Sequence, residues 1–122
     1  MKMLALVALG GALGAVARFL VIRMLPEAFP WGTLAVNLIG SFVIGWLLAN
    51  PTTRVASTPE LKLLLVTGVL GGFTTYSAFN HETLGLWNSG LRLSAALYVF
   101  GTLAGAWISG ALGLWVGRAT NG

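Results

Sequence analysis

Cysteine is absent from this chain of 122 residues. That rules out a disulfide framework, a thiolate metal site and thiol chemistry, and it is silent on redox compartment. Charge is nearly as scarce. Charged residues make up 8% of the sequence, against about 25% in soluble domains. A soluble fold of this size needs a polar surface that so few charges cannot cover. The acids are Glu27, Glu60 and Glu82, and His81 is the one histidine. Scattered as they are, they form no catalytic constellation, and an enzyme is not expected. The cations Lys2, Arg18, Arg23, Arg54, Lys62, Arg92 and Arg118 are dispersed as well. No cluster among them makes a nucleic-acid surface; they read as residues that flank membrane segments.

What is abundant is apolar sequence, 57% of the chain. A helix needs about 20 apolar residues to cross a hydrocarbon core of about 30 Å. Four runs qualify: Met3 to Leu25, Trp31 to Ala49, Leu61 to Trp87 and Ser94 to Gly117. Pro26 with Pro30, Pro51 with Pro59, and Asn88-Ser89-Gly90 mark the three loops between them. Trp31, Trp87 and Trp115 fall near the predicted ends, where indoles favour the membrane interface. The opening "MKMLALVALGGALGAVA" also has the cation, apolar run and small residues of a signal peptide. The apolar run resumes at once with Phe19-Leu20-Val21-Ile22, however, and three more spans follow, so a retained first helix is the simpler reading. The expectation is an all-α integral membrane protein, a single four-helix subunit over residues 1–122 that lies among membrane lipid.

An even number of spans puts both termini on one side. Lys2, Arg54, Lys62 and Arg118 then face Arg18, Arg23 and Arg92 across the membrane. The positive-inside rule needs an asymmetry that this distribution does not offer, so insertion in both orientations is expected. Local weighting of charge could still select one orientation. On the fourth span Gly101, Gly105, Ser109, Gly113 and Gly117 recur every four residues, and Gly10 and Gly14 repeat the device on the first. Such stripes let backbones approach closely. They serve equally for packing within one subunit. Taken with the balanced charge, they favour a dimer whose two chains run antiparallel, an inverted repeat made from one sequence.

Polar side chains at membrane depth cost free energy unless they pair or face water. Thr33, Asn37 and Ser41 share one face of the second span. Ser94, Tyr98 and Thr102 share one face of the fourth, with Ser109 close to that line. Each set reads either as interhelical hydrogen bonds or as the lining of a wet path. The stretch "LGGFTTYSAFNHET" (Leu70–Thr83) interrupts the third span, which as one helix would be about 40 Å long. Gly71-Gly72 followed by Thr74-Thr75 is where that helix is expected to break. Glycine weakens the helix, and threonine hydroxyls can satisfy freed backbone groups. Freed carbonyls suit a hard monovalent cation, and half-helix N-termini suit an anion. A simple glycine kink is the plainer alternative. Tyr76 and Phe79 follow at i and i+3. Such a pair is often packing, yet ring edges carry partial positive charge and favour an anion weakly. Conduction needs binding weak enough to release.

With these residues in view, the chain resembles the CrcB/Fluc family of small fluoride channels. The resemblance rests on "GGALGAVARFL" (Gly10–Leu20), "GTLAVNLIGSFVIG" (Gly32–Gly45) and "GVLGGFTTYSAF" (Gly68–Phe79), and on length and four-span layout. It covers nearly the whole chain. It implies a dual-topology antiparallel homodimer with two anion pores, and a structural sodium ion at the dimer centre held by third-helix carbonyls. By motif position those carbonyls belong to Gly71 and Thr74. The pore-lining residues it implies are Asn37, Tyr76, Ser77, Phe79, Tyr98, Thr102 and, less directly placed, Ser109. Arg18 and Glu82 fall at a vestibule. Tyr76 stands where phenylalanine is usual. The function implied is passive, fluoride-selective export across the inner membrane of a microbial cell, driven by the membrane potential at about 2.3 kcal/mol per 100 mV for one charge. A small proton-coupled multidrug transporter shares the size and span number, but it needs a membrane-embedded acid, and no Asp or Glu precedes Glu27. A non-transporting assembly subunit would explain the glycine stripes and leave the polar stripes unexplained.

Overall fold

The computed structural model describes residues 1–49 and 58–120. Asn50, Pro51 and Arg54, which the sequence reading places in the second loop, lie outside the described residues. The described chain is all helical: α1 (Lys2–Arg23), α2 (Trp31–Ala49), α3 (residues 59–73), α4 (Tyr76–Asn88) and α5 (Arg92–Ala119). Four segments are long and apolar enough to cross a membrane: Lys2–Arg23, Trp31–Ala49, Pro59–Asn88 and Arg92–Ala119. The third of these is the composite of α3 and α4, broken in the middle.

The loops follow local chemistry. Pro59 occupies the first turn of α3 with Glu60 beside it, as the orphan amides and positive dipole end of a helix N-terminus favour. At the end of α4, Leu91 N–H reaches back to the Leu86 carbonyl at 2.9 Å and Gly90 N–H to Trp87 at 3.1 Å. This helix stop needs a left-handed residue, and Gly90 supplies it with φ 83°.

Two parallel helix pairs build the bundle. α2 packs chiefly on α5, and α1 chiefly on α3. Along α5, Ser109 meets Leu38, Gly113 meets Phe42 and Gly117 meets Trp46. Both helices thus advance together, one turn at a time. A side chain at Gly113 would run into the Phe42 carbonyl, and one at Gly45 into the Gly110 carbonyl. The other pair repeats the device. A Cβ on Gly10 would meet Leu64 and Gly68 backbone, one on Gly14 would meet Val69 and Phe73, and one on Gly72 would meet Gly11 and Ala15. The small-residue stripes are therefore used inside the subunit, apart from Gly101, which has open space around it. They no longer argue for a second chain.

The third span breaks within the expected stretch: Gly71 and Gly72 stay helical, and the chain leaves the helix at Thr74 and Thr75. Gly72 is needed for the crossing with α1, while the threonines make the break. In addition, Lys62–Leu70 is wound as a π-helix between short α-helical ends. Nothing in the sequence pattern signals that wider winding.

Candidate functional site

The break consists of two extended residues, Thr74 (φ −85°, ψ 156°) and Thr75 (φ −152°, ψ 122°). Each threonine ties off one helix end. Thr74 turns its hydroxyl back to the Leu70 carbonyl at 2.9 Å, which also accepts Thr74 N–H at 3.0 Å. Thr75 is the N-cap of α4: its Oγ1 accepts the Ala78 N–H at 3.2 Å. A cap of this kind is worth about 1 kcal/mol. The third partner comes from α2. Asn37 Oδ1 accepts Thr75 N–H at 2.9 Å, and Asn37 Nδ2 donates to the Thr75 carbonyl at 3.1 Å. In an unbroken helix Thr75 N–H would bond the Gly71 carbonyl and Ala78 N–H the Thr74 carbonyl. Both amides are diverted, so those two carbonyls lose their helical partners.

Two clefts approach this junction from either side. The first, about 440 Å³, is bordered by Asn37, Gly71, Thr74, Thr75, Tyr76, Phe79, Thr102 and Trp107, among others. The second, about 500 Å³, lies between the α1–α2 loop and the end of α4, with Phe29, Thr33 and Glu82 on its wall. Here the Thr33 hydroxyl donates to Glu82 Oε1 at 2.6 Å. Tyr98, only 1% exposed, touches a wall residue of each cleft, Phe79 of the first and Phe29 of the second. Its hydroxyl and that of Thr102, one turn on, are buried without a hydrogen-bond partner. Thr33 and Glu82 are its polar neighbours. Rings run through this junction in a chain. Tyr76 and Phe79 are 5.6 Å apart, Phe79 and Tyr98 5.1 Å, Tyr98 and Phe29 5.4 Å, Phe29 and Trp31 4.7 Å between centroids.

The residues singled out from sequence fall into three groups. Asn37, Gly71, Thr74, Tyr76, Phe79 and Thr102 come together around the first cleft. Glu82 lies on the second, and Tyr98 is buried against a wall residue of each. Ser77, Ser109 and Arg18 border neither cleft. Ser77 is exposed at the start of α4, 3.4 Å from the Thr75 hydroxyl. Ser109 donates to the Leu38 carbonyl at 2.6 Å, a bond that pins α5 to α2. Arg18 is half-buried on α1, its Nε enclosed without a partner. Sequence reasoning missed three contributors. Thr75 was seen as part of the break but not as the residue Asn37 holds. The Thr33–Glu82 bond joins residues 49 positions apart, which no local pattern reveals. Phe29 stood in a loop marked only by its prolines.

A small bundle whose third span is interrupted beside a polar-edged cleft defines a multi-pass membrane protein with a discontinuous helix at its site, the place where irregular backbone is tolerated at membrane depth. The chain belongs to the CrcB family: residues 5–114 match the family described as "CrcB-like protein, Camphor Resistance (CrcB)". It is 45% identical to a protein of Chelativorans sp. (strain BNC1) named "Fluoride-specific ion channel FluC", over 95% of this chain and 96% of that one. A protein of the same name from Agrobacterium fabrum is 44% identical over 94% of this chain and 95% of its own length. One from Chlorobaculum tepidum is 48% identical over 86% of each.

Proposed function

We propose that the chain is a subunit of a passive, fluoride-selective channel of the inner membrane, two copies assembling antiparallel as a homodimer with two pores. The observation that carries this reading is the interrupted third span with its Asn37–Thr75 clasp, in a chain 45% identical to a protein named for fluoride conduction. The groups around the junction suit a small, strongly hydrated anion. Asn37 spends one amide N–H on Thr75 and keeps its second. The Thr102 hydroxyl is buried with no partner. Phe79 and Tyr76 offer ring edges, which attract an anion without holding it as a lysine would. Selectivity over chloride then comes from a narrow path that replaces water by these few donors.

The dimer is supported by what one copy leaves uncovered. Gly71, Tyr76 and Ser77 are exposed at the depth of the break, Tyr76 by 74%. Irregular backbone is not stable against lipid, so protein or a water-filled cavity must cover it. Charge favours two orientations: Lys2, Lys62 and Arg118 sit at one end of the described bundle and Arg18, Arg23 and Arg92 toward the other. The Gly71 and Thr74 carbonyls fit the sodium ion that the family resemblance implies, because unwound carbonyls are the ligands such an ion takes at broken helices. Two oxygens from one chain make half a site, and a second copy across a shared axis would supply the rest. When bound, the ion would supply positive charge and cross-link the two breaks.

Purified protein in liposomes tests the reading, with fluoride and chloride efflux followed by ion-selective electrodes. Fluoride efflux far above chloride efflux is the expected result. Proton movement driven by a cationic drug, with no fluoride efflux, would instead select a proton-coupled transporter using Glu82.

A further inference from the structure

Phe29 has no role in the site as the sequence defines it, yet it touches the residue that closes that site. It lies in the turn between α1 and α2, flanked by Pro26 and Pro30, and Trp31 N–H bonds its carbonyl at 2.7 Å. The turn therefore presents the ring from a fixed backbone. The ring meets Tyr98 edge to face, at 5.4 Å and 80°, and Phe79 meets the same ring at 5.1 Å and 54°. It also forms part of the wall of the second cleft.

Tyr98 is unusual in what holds it. Its hydroxyl lies beside Thr33, whose own hydroxyl is committed to Glu82, and makes no hydrogen bond of good geometry. A buried tyrosine is normally oriented by its hydroxyl partner. With no hydrogen bond of good geometry to fix it, the ring depends on its packing against Phe79 and Phe29. Removing either ring frees Tyr98 to turn, and its unbonded hydroxyl turns with it.

We propose that Phe29 is a positioning residue of the permeation path: it packs against Tyr98 so that the Tyr98 hydroxyl stays beside Thr33 and Glu82 at the second cleft. The proposal rests on the channel reading above. Phe29 acts through Tyr98 and sets the ion's rate past the junction, not the assembly of the dimer.

Fluoride efflux from liposomes tests it, with gel filtration as the check on assembly. Absence of fluoride efflux from the unaltered protein would defeat the channel reading itself and is thereby distinguished. Given wild-type efflux, Phe29→Leu should slow it about two- to tenfold, the size of one aromatic edge contact, with the dimer peak unchanged. Phe29→Tyr, which keeps the ring, should restore most of that loss. In a double-mutant cycle, Phe29→Leu added to Tyr98→Phe should cost little more than Tyr98→Phe alone, because coupled residues are not additive. Wild-type efflux from Phe29→Leu, or losses that multiply in the double variant, overturns the proposal. If Tyr98→Phe alone abolishes efflux, the decision passes to Phe29→Tyr: recovery supports the positioning role and no recovery overturns it. If Phe29→Leu does not assemble, Phe29→Met, an apolar side chain without a ring, takes its place under the same criteria.

Discussion

Asn37 treats Thr75 as a neighbouring strand would. Its side-chain amide accepts the Thr75 N–H at 2.9 Å and donates to the Thr75 carbonyl at 3.1 Å, so both polar groups of one extended residue are satisfied from α2. The consequence reaches beyond that residue. Because Thr75 N–H is taken, the Gly71 carbonyl cannot be closed by α-helical bonding, and the break cannot heal into a regular helix without losing the clasp. The polar stripe on α2 and the interruption of the third span are one device.

Asn37→Ala removes both bonds and leaves Thr75 with two buried backbone groups to satisfy. Each costs about 1–3 kcal/mol when left unpaired. Fluoride efflux should fall at least about tenfold, and the melting temperature should drop with it. Asn37→Asp keeps the acceptor for Thr75 N–H but loses the donor and places a charge beside an anion path. It should retain more stability than Asn37→Ala and conduct no better. Thermal unfolding in detergent, paired with efflux, separates the two. Wild-type values for Asn37→Ala in both measurements would mean the clasp does not shape the site.

The Thr33–Glu82 bond yields a second expectation. At 2.6 Å the hydroxyl holds Glu82 Oε1 against α2, and on the proposed reading a carboxylate beside the anion path is better tolerated while so held. Thr33→Val keeps the shape and deletes the donor. The freed carboxylate should slow fluoride efflux several-fold, and adding Glu82→Gln should relieve part of that loss. Thr33→Ser, which keeps the hydroxyl, should stay near wild type. Equal efflux from Thr33→Val and Thr33→Ser would show that the bond is incidental.

The spans were legible from hydropathy alone, because in a bilayer the apolar length of a helix must match the hydrocarbon thickness. Trp31–Ala49 agrees to the residue, and the other three spans agree within about two residues at every end, the usual uncertainty of a helix terminus. The break was legible to within a turn. The glycines drew attention to it, but Gly72 serves the crossing with α1, and the hydroxyl-bearing Thr74 and Thr75 carry the irregular backbone. What stayed hidden were pairings across the bundle. The small-residue stripe on α5 shows that some backbone must come close but leaves its partner open, and only the fold shows that the partner is α2. Ser109 lies close to the line of Tyr98 and Thr102, yet about two more turns along α5 carry it past the cleft and onto the Leu38 carbonyl. Helical periodicity reports a face and says nothing of what lies opposite.

Paired glycine substitutions check that packing. A Cβ at Gly113 would enter the Phe42 carbonyl and crowd Trp46 N at 3.0 Å, whereas Gly101 has nothing within 4 Å. Gly113→Ala should destabilise the fold by about 1–3 kcal/mol, as overpacking does, and Gly101→Ala should be neutral. On α1, Gly10→Ala and Gly11→Ala form the same contrast. Folded fraction against denaturing detergent measures all four. Similar losses at Gly101 and Gly113 would place the α5 stripe at an interface between chains instead.

The last expectation concerns the cation. If the Gly71 and Thr74 carbonyls from two copies hold sodium, the ion should stabilise the assembled protein by mass action. Replacing sodium with a large organic cation such as N-methylglucamine should then lower the melting temperature and shift the population toward monomer. Restoring sodium should reverse both changes along a saturable curve. No side chain supplies the proposed ligands, so substituting a ligand is not an available test, but the clasp offers one. Asn37→Ala leaves Thr75 N–H to compete with the ion for the Gly71 carbonyl. In this variant the stabilisation by sodium should weaken or vanish, separately from any loss of fluoride efflux. A wild-type protein whose stability and oligomeric state ignore the identity of the monovalent cation would show that the diverted amides serve the shape of the path alone.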